Sequence, residues 1–251
     1  MAQIFKPSAN SIAKVTLIGV AVVPLTVGVG VAALSRSPAN TKVNVPKNQP
    51  VPFSHQHHSY ELGIDCRYCH TSEEKSWYPG LPGTETCMSC HSQIWTNSPL
   101  LQPVRESYET GQPIKWNQVN KLPDFAHFNH SIHINRGINC DVCHGPVQEM
   151  HITWKGRPFQ MQWCLQCHRN PARYLYKDPQ TPQLTPREQV FNLYWKYQEK
   201  GYKGLSDADQ DVLHGDFDGK LDKDFVANGK KLVNEYGVKV QQLADCSVCH
   251  Y

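Results

Sequence analysis

No cysteine of this 251-residue chain falls outside one repeated motif, and methionine is scarce, at four residues. Ten cysteines in 251 residues are too few for a small disulfide-stapled scaffold, and none is left over as a lone nucleophilic thiol. Charge of one sign is also in short supply. Lys and Arg number 25 against 22 Asp and Glu, a formal net charge of +3, which excludes a strongly basic nucleic-acid binder on electrostatic grounds. Aromatic residues at 10% and charged residues at 19% are not the composition of a disordered polyelectrolyte. A Gly-rich phosphate loop, a nucleophile elbow and a dinucleotide-binding fingerprint are all missing. Long apolar runs are missing too, with one exception.

That exception is Val15 to Leu34, VTLIGVAVVPLTVGVGVAAL, twenty residues without a charge. At about 1.5 Å per residue a helix of this length matches the hydrocarbon core of a bilayer. Pro24 and three glycines weaken a helix in water but are tolerated in lipid. The alternative is a cleaved signal peptide, with Lys6 and Lys14 as its basic head and Gly30-Val31-Ala32 as a small-residue cleavage site. The run is longer than an ordinary signal core, and fourteen residues precede it, so a retained single-pass anchor is expected. Lysines and arginines flank both ends, and the positive-inside rule gives no orientation. The expected organisation is a head (1–14), an anchor (15–34), a Pro-rich extended linker (35–52), a region of two repeated units (53–172) and a helical tail (173–251).

All ten cysteines occur as Cys-x-x-Cys-His: Cys66/Cys69/His70, Cys87/Cys90/His91, Cys140/Cys143/His144, Cys164/Cys167/His168 and Cys246/Cys249/His250. This is the attachment signature of a c-type haem. Residues i and i+3 lie on one side of a helical turn, so both thiols reach the vinyl groups of one porphyrin edge, and the following His faces the iron as proximal ligand. Zinc knuckles and redox dithiols share Cys-x-x-Cys but need no His after every copy. With only thirteen His in the chain, five such followers do not arise by chance. The expectation is five covalently attached c-type haems. Their propionates would take the net charge from +3 to about −2 in the ferric state, so the sequence charge is a poor guide to partners.

Eight histidines remain. Phe53-Ser-His55-Gln-His57-His58 precedes the first motif, and Phe128-Asn-His130-Ser-Ile-His133 precedes the third. Each Phe-x-His-x-x-His is followed by Gly-Ile-Asp or Gly-Ile-Asn and then the motif, an internal repeat offset by about 75 residues. Histidines at i and i+3 leave one face of a helical turn and can serve two adjacent haems. His55 and His130 are therefore expected as distal ligands of the first and third motifs. His58 and His133 are expected at the second haem of each unit, and His57 points elsewhere. For the fifth haem the candidates are Met150, Met161, His151, His214 and His127. A thioether would raise the potential relative to a second imidazole, and Met150 is taken first.

The tail reads differently. Thr185-Pro-Arg-Glu188 has capping-box form before a helix Pro186–Lys200 ended by Gly201. Shorter helices are expected from Ser206 to His214 and from Asp224 to Tyr236. Asp207-Ala-Asp209-Gln-Asp211 invites a calcium loop, but its sixth position is Val212 and its twelfth Asp218. Neither suits that loop, and a solvated helix face is expected.

The Phe-x-His-x-x-His…Cys-x-x-Cys-His unit resembles the three- and four-haem cytochromes. Five further stretches are more particular: Gly111-Gln-Pro-Ile-Lys-Trp116, Leu122-Pro-Asp-Phe125, Phe128-Asn-His130, Cys143-His144-Gly145 and Met161-Gln-Trp163-Cys164-Leu-Gln-Cys167-His168-Arg169. Over about 53–172 the chain is similar to the membrane-anchored pentahaem cytochrome c subunit of bacterial alternative complex III. It is also similar to cytochromes that accompany molybdopterin oxidoreductases. The resemblance implies a mainly α, coil-rich multihaem fold with one N-terminal transmembrane helix. It implies a haem domain on the periplasmic side of the cytoplasmic membrane, and no catalysis of its own. It also implies partners: integral quinol-oxidising subunits, an iron–sulfur/molybdopterin-like subunit, a monohaem cytochrome, the lipid bilayer, and no nucleic acid. The expected role is electron transfer from quinol and iron–sulfur subunits toward a periplasmic carrier or terminal oxidase. The alternatives are a membrane-anchored partner of a molybdopterin oxidoreductase, a direct quinol dehydrogenase, and a multihaem catalyst, which would need an open distal site.

Overall fold

The computed structural model describes residues 5–214 and 223–251. It divides into two compact units, Met1–Val43 and Asn44–Tyr251. The first is dominated by one helix, Ser8–Arg36, of mean hydropathy 2.4 over its most apolar window. Its length and composition suffice to cross a membrane, and no part of that window is buried in the protein. Pro24 lies inside this helix without ending it, as apolar surroundings permit.

The second unit is helical and irregular. Among the described residues it has no strand, only isolated antiparallel bridges between Pro46 and Trp154 and between Ile138 and Leu175. From residue 44 the Pro-rich stretch is strapped down rather than free. Asn44 and Lys47 donate their amides to the Lys155 and Thr153 carbonyls, and Gln49 exchanges hydrogen bonds with Asn117.

Apolar burial is lopsided. Among the described residues, five buried hydrophobic residues lie between 44 and 172, and thirteen lie beyond 172. The tail has a conventional core. Leu193 and Tyr197 of the Pro186–Lys200 helix pack against Tyr176, Leu205, Val212, Leu213 and Phe225. The expected capping box is present: Glu188 donates its amide to the Thr185 side chain, and the Glu188 carboxylate accepts from the Thr185 amide. The helices Asp207–His214 and Lys223–Glu235 follow, and Gly237 at φ 63° ends the second. Gly229 brings that helix against the Pro171–Arg173 turn, where a Cβ would stand 1.8 Å from the Ala172 carbonyl oxygen. No side chain fits at that approach.

The Asp-rich run is a solvated face only in part: Asp207 is exposed, but Asp209 turns inward. Asp209 is 1% exposed. It caps its helix with Ser206, and it accepts from Lys196 Nζ at 2.7 Å and from the Tyr176 hydroxyl. Lys196 also reaches Asp178, 3.1 Å away. Asp218 lies outside the described residues. Lys196 thus pairs with two carboxylates that burial would otherwise penalise heavily. Lys196→Met should cost about 3–5 kcal/mol in denaturant unfolding, because two buried charges lose their partner. Burial raises the Asp209 carboxyl, but hydrogen bonds from Lys196, Tyr176 and Ser206 outweigh it and hold the group below the ordinary carboxylate range. The folded value is depressed, so this stabilisation is complete above the unfolded pKa and drains as pH falls through the folded one. An acid titration of stability should show that loss, and Lys196→Met should flatten it.

Candidate haem-binding site

The repeat seen in sequence is a repeat in geometry. In the first unit Gly63 turns the chain at φ 69°, and the Asp65 side chain then accepts from the Arg67 amide to start the Cys66–Cys69 helical turn. In the second, Gly137 turns at φ 79° and Asn139 caps Cys140–His144 through the Asp141 amide. Gly-Ile-Asp/Asn is thus a left-handed turn followed by an N-cap. It launches the helical turn that sets two thiols on one side. The second and fourth motifs ride on longer helices, Thr84–His91 and Met161–Arg169. The fifth occupies a 3-10 turn, Cys246–Val248.

Four pairs of imidazoles face each other. The ring centroids of His55 and His70 are 6.5 Å apart, His58 and His91 6.1 Å, His130 and His144 6.4 Å, and His133 and His168 6.1 Å. These are the pairings expected from sequence. With about 2 Å per iron–nitrogen bond and about 1.1 Å from Nε2 to the ring centre, two imidazoles flanking one iron stand about 6.2 Å apart. The spacing suits an iron between them.

The other nitrogen of each ring is occupied. Nδ1 of His58 donates to the Ser54 carbonyl, His133 to Asn129, His70 to Gly80, His91 to Ile94, His168 to Leu243 and His130 to Glu73, all at 2.8–3.3 Å. Nδ1 of His55 meets the Thr153 hydroxyl at 3.1 Å, and that of His144 the Asn120 amide at 3.0 Å. In the six rings whose Nδ1 donates to a carbonyl, that bond fixes the tautomer and leaves Nε2 with its lone pair, the arrangement of a metal-ligating histidine. Burial lowers the pKa of His55, His133 and His144 to about 4, so these rings are neutral, as a ligand must be. Phenylalanine completes each unit. Phe53 stacks on His58 and Phe128 on His133, both at 4.5 Å. The sequence marked these two phenylalanines as part of the repeat but not as the plates that hold the second histidine. The Nδ1 acceptors carry no sequence signal, because most are backbone carbonyls.

Other candidates fall elsewhere. His57 turns to Glu61, 2.9 Å away, and stacks on Trp95. Met150 is 2% exposed, and its carbonyl accepts from Gln56 beside His55. Met161 is 68% exposed at the start of its helix, and His151 is exposed. The side chain of His214 lies outside the described residues. His250 donates Nδ1 to the Phe125 carbonyl at 2.8 Å, and its ring neighbour is Phe125 at 6.0 Å. Among the described residues no imidazole faces it at the spacing of the other four. His127 lies alongside, its amide donating to the Cys249 carbonyl and its ring stacked on Tyr251. Glu73, 5% exposed, was not singled out from sequence. Its carbonyl holds His130, and among the described residues neither carboxylate oxygen has a hydrogen-bond partner.

The residues fit haem on a further count. Region 44–172 buries little apolar side chain of its own yet packs Phe53, Phe128 and Phe159 against its facing imidazoles, as suits a domain whose core is partly porphyrin.

A model of the class III cytochrome c family matches residues 31–102. A protein of Nitratidesulfovibrio vulgaris (Hildenborough), "Menaquinone reductase, multiheme cytochrome c subunit", is 30% identical over 145 residues, which cover 49% of this chain and 69% of that protein. The chain is a multihaem cytochrome of the class III family. The cytochrome is accordingly an electron-transfer protein with covalently bound c-type haem. Replacing Thr153 by Val removes the partner of His55 Nδ1 without touching a thiol. Redox titration of this variant should show one haem potential displaced and the others in place, with haem content unchanged.

Proposed function

We propose that this cytochrome carries five haems and is the electron-transfer subunit of a membrane quinone oxidoreductase, linking quinone-reactive integral subunits to redox partners outside the membrane. The observation that carries the reading is the set of four facing imidazole pairs with anchored Nδ1 atoms. Haem iron, when bound, supplies one-electron ferric/ferrous chemistry. The chain's own residues do the rest. His70, His91, His144, His168 and His250, each following its thiol pair, would hold an iron, and His55, His58, His130 and His133 would supply a second imidazole to the first, second, third and fourth. The five thiol pairs tether the cofactors, and the phenylalanine plates and backbone carbonyls keep the rings from turning. Two strong ligands on an iron leave no place for substrate, which favours transfer over catalysis at those four haems.

The Ser8–Arg36 helix supports a single-pass anchor, and thioether attachment supports a periplasmic haem domain. The partners proposed are an iron–sulfur/molybdopterin-like subunit, integral quinone-reactive subunits and a monohaem cytochrome, as in alternative complex III. In that reading electrons leave quinol for an external acceptor. The relative's name, a menaquinone reductase, favours the opposite direction as the second reading. Isolating the complex through a tag on this chain and adding menaquinol or a reduced periplasmic carrier decides between them. Haem reduction by menaquinol supports the first reading, and quinone reduction by the carrier the second. Reduction by menaquinol of the purified chain alone would replace both with a direct quinol dehydrogenase.

Met150, the first candidate from sequence for the fifth iron, lies beside Gln56 at the first motif, whereas His127 lies against Cys249 and Tyr251, and a spectrum tests Met150 directly. A far-red ferric absorption band that disappears in Met150→Leu would support it, and a band unchanged by that substitution would exclude it. The denatured chain should retain five haems by alkaline pyridine assay. Carbon monoxide should perturb at most one of the five reduced haems, and a change at several would overturn the transfer reading.

A further inference from the structure

The contacts between motifs form a chain, and its order is not the order of the sequence. The first and second motifs touch through the Tyr68 hydroxyl and Ser89 Oγ, 2.9 Å apart, and one helical turn holds His55 for the first and His58 for the second. The first meets the third on the loop that follows His70. Glu73 and Trp77 offer their carbonyls to Nδ1 and to the amide of His130, and Ser76 accepts from the Ser131 amide. The third and fourth share an apolar cluster in which Cys143 and Cys167 pack on Val142 and Tyr174. The fourth meets the fifth where His168 Nδ1 donates to the Leu243 carbonyl, three residues before Cys246. Among the described residues no such contact joins the second motif to the third, fourth or fifth.

Exposure points the same way. Of the ten cysteines only Cys90 and Cys246 are exposed, and they belong to the two ends of this chain of contacts. The eight others are half-buried.

We propose that the five motifs lie in the spatial order second, first, third, fourth, fifth, and that Cys87–His91 and Cys246–His250 are the two electron ports. The inference rests on the five-haem reading above. A single electron enters at one port from a one-electron donor and leaves at the other to a one-electron acceptor, with no bond made or broken. The sequence order would instead place the Cys66–His70 motif at an end. The segment 125–127 that receives His250 runs on into Phe128–His130, so a fifth motif serving the third directly is the competing order.

The test uses the full-length, haem-loaded protein with one photoreductant attached to an added thiol, at Gln93→Cys beside the second motif or at Tyr251→Cys beside the fifth. Both positions are exposed, and every natural thiol is held as thioether. Distal variants His58→Met, His130→Met and His133→Met mark the second, third and fourth haems one at a time, because a Met ligand raises the potential and adds a far-red ferric band. The loss of that band after a flash times the arrival of the electron. From position 251 the order of arrival should be the fourth, then the third, then the second haem, with the last delayed several-fold. From position 93 the order should invert. Arrival at the third haem from position 251 as early as at the fourth would overturn the proposed order, as would arrival at the second haem first. The three markers are independent, so a variant that does not fold leaves two that decide. Fewer than five haems in the denatured chain, or no far-red band in any marked variant, would instead strike the ligand assignment beneath the proposal.

Discussion

The region of the motifs is organised around four pairs of imidazole rings held about 6 Å apart. Ring contact at that spacing does not fix orientation, so each ring is held from behind. The chain does this with its backbone. Seven of the nine paired or terminal histidines donate Nδ1 to a carbonyl, and the acceptors come from near and far in sequence. Ser54 and Asn129 lie four residues before the rings they hold, while Leu243 lies 75 residues beyond His168 and Phe125 lies 125 residues before His250. The local bonds build each Phe-x-His-x-x-His turn as a unit. The distant ones fasten one unit to the next, so ligand orientation and tertiary structure are one set of hydrogen bonds.

That division explains what the sequence could show. The thiols, the proximal histidines and the His55/His58 and His130/His133 registers are local features with fixed spacing. The helices Pro186–Lys200 and Asp207–His214 announced themselves through Thr185, Glu188 and Ser206, caps whose chemistry is also local. What could not be read was long-range. Nothing about Thr153 or Asn120 says that it stands behind a ring. Nothing in the acidic string at 207–211 says that Asp209 is buried against Lys196 and Tyr176, since that depends on which way a helix faces. The Pro-rich stretch after the apolar helix read as free linker, because the partners of Asn44 and Gln49 are backbone groups of distant loops. Met150 read as a possible ligand from residue type alone. Its place beside Gln56 depends on how the 147–150 turn docks.

The tail acts on the haem region as a buttress. Tyr194 reaches from the Pro186–Lys200 helix to Asp141 inside the third motif at 2.7 Å, and Tyr197 reaches Glu149 at 2.6 Å. Asp141 is 2% exposed, and burial lifts its carboxyl to about 8 even as Tyr194 and Gln148 pull it down. A carboxyl so placed is tolerable only with its hydrogen bonds made, which ties the third motif to a helix with an apolar core of its own.

The same logic accounts for the unequal exposure of the five motifs. A region that buries few side chains needs an external frame, and the frame touches the middle of the chain of motifs. Tyr194 bears on the third, the Lys223–Glu235 helix seats Gly229 against the turn after the fourth, and Arg67 of the first lies over the Phe191 ring at 4.3 Å. The second and fifth motifs lie outside this clamp, and there Cys90 and Cys246 are exposed. Rigid support where haems must keep their spacing, and open surface where electrons must be exchanged with other proteins, are thus satisfied by one placement of the tail.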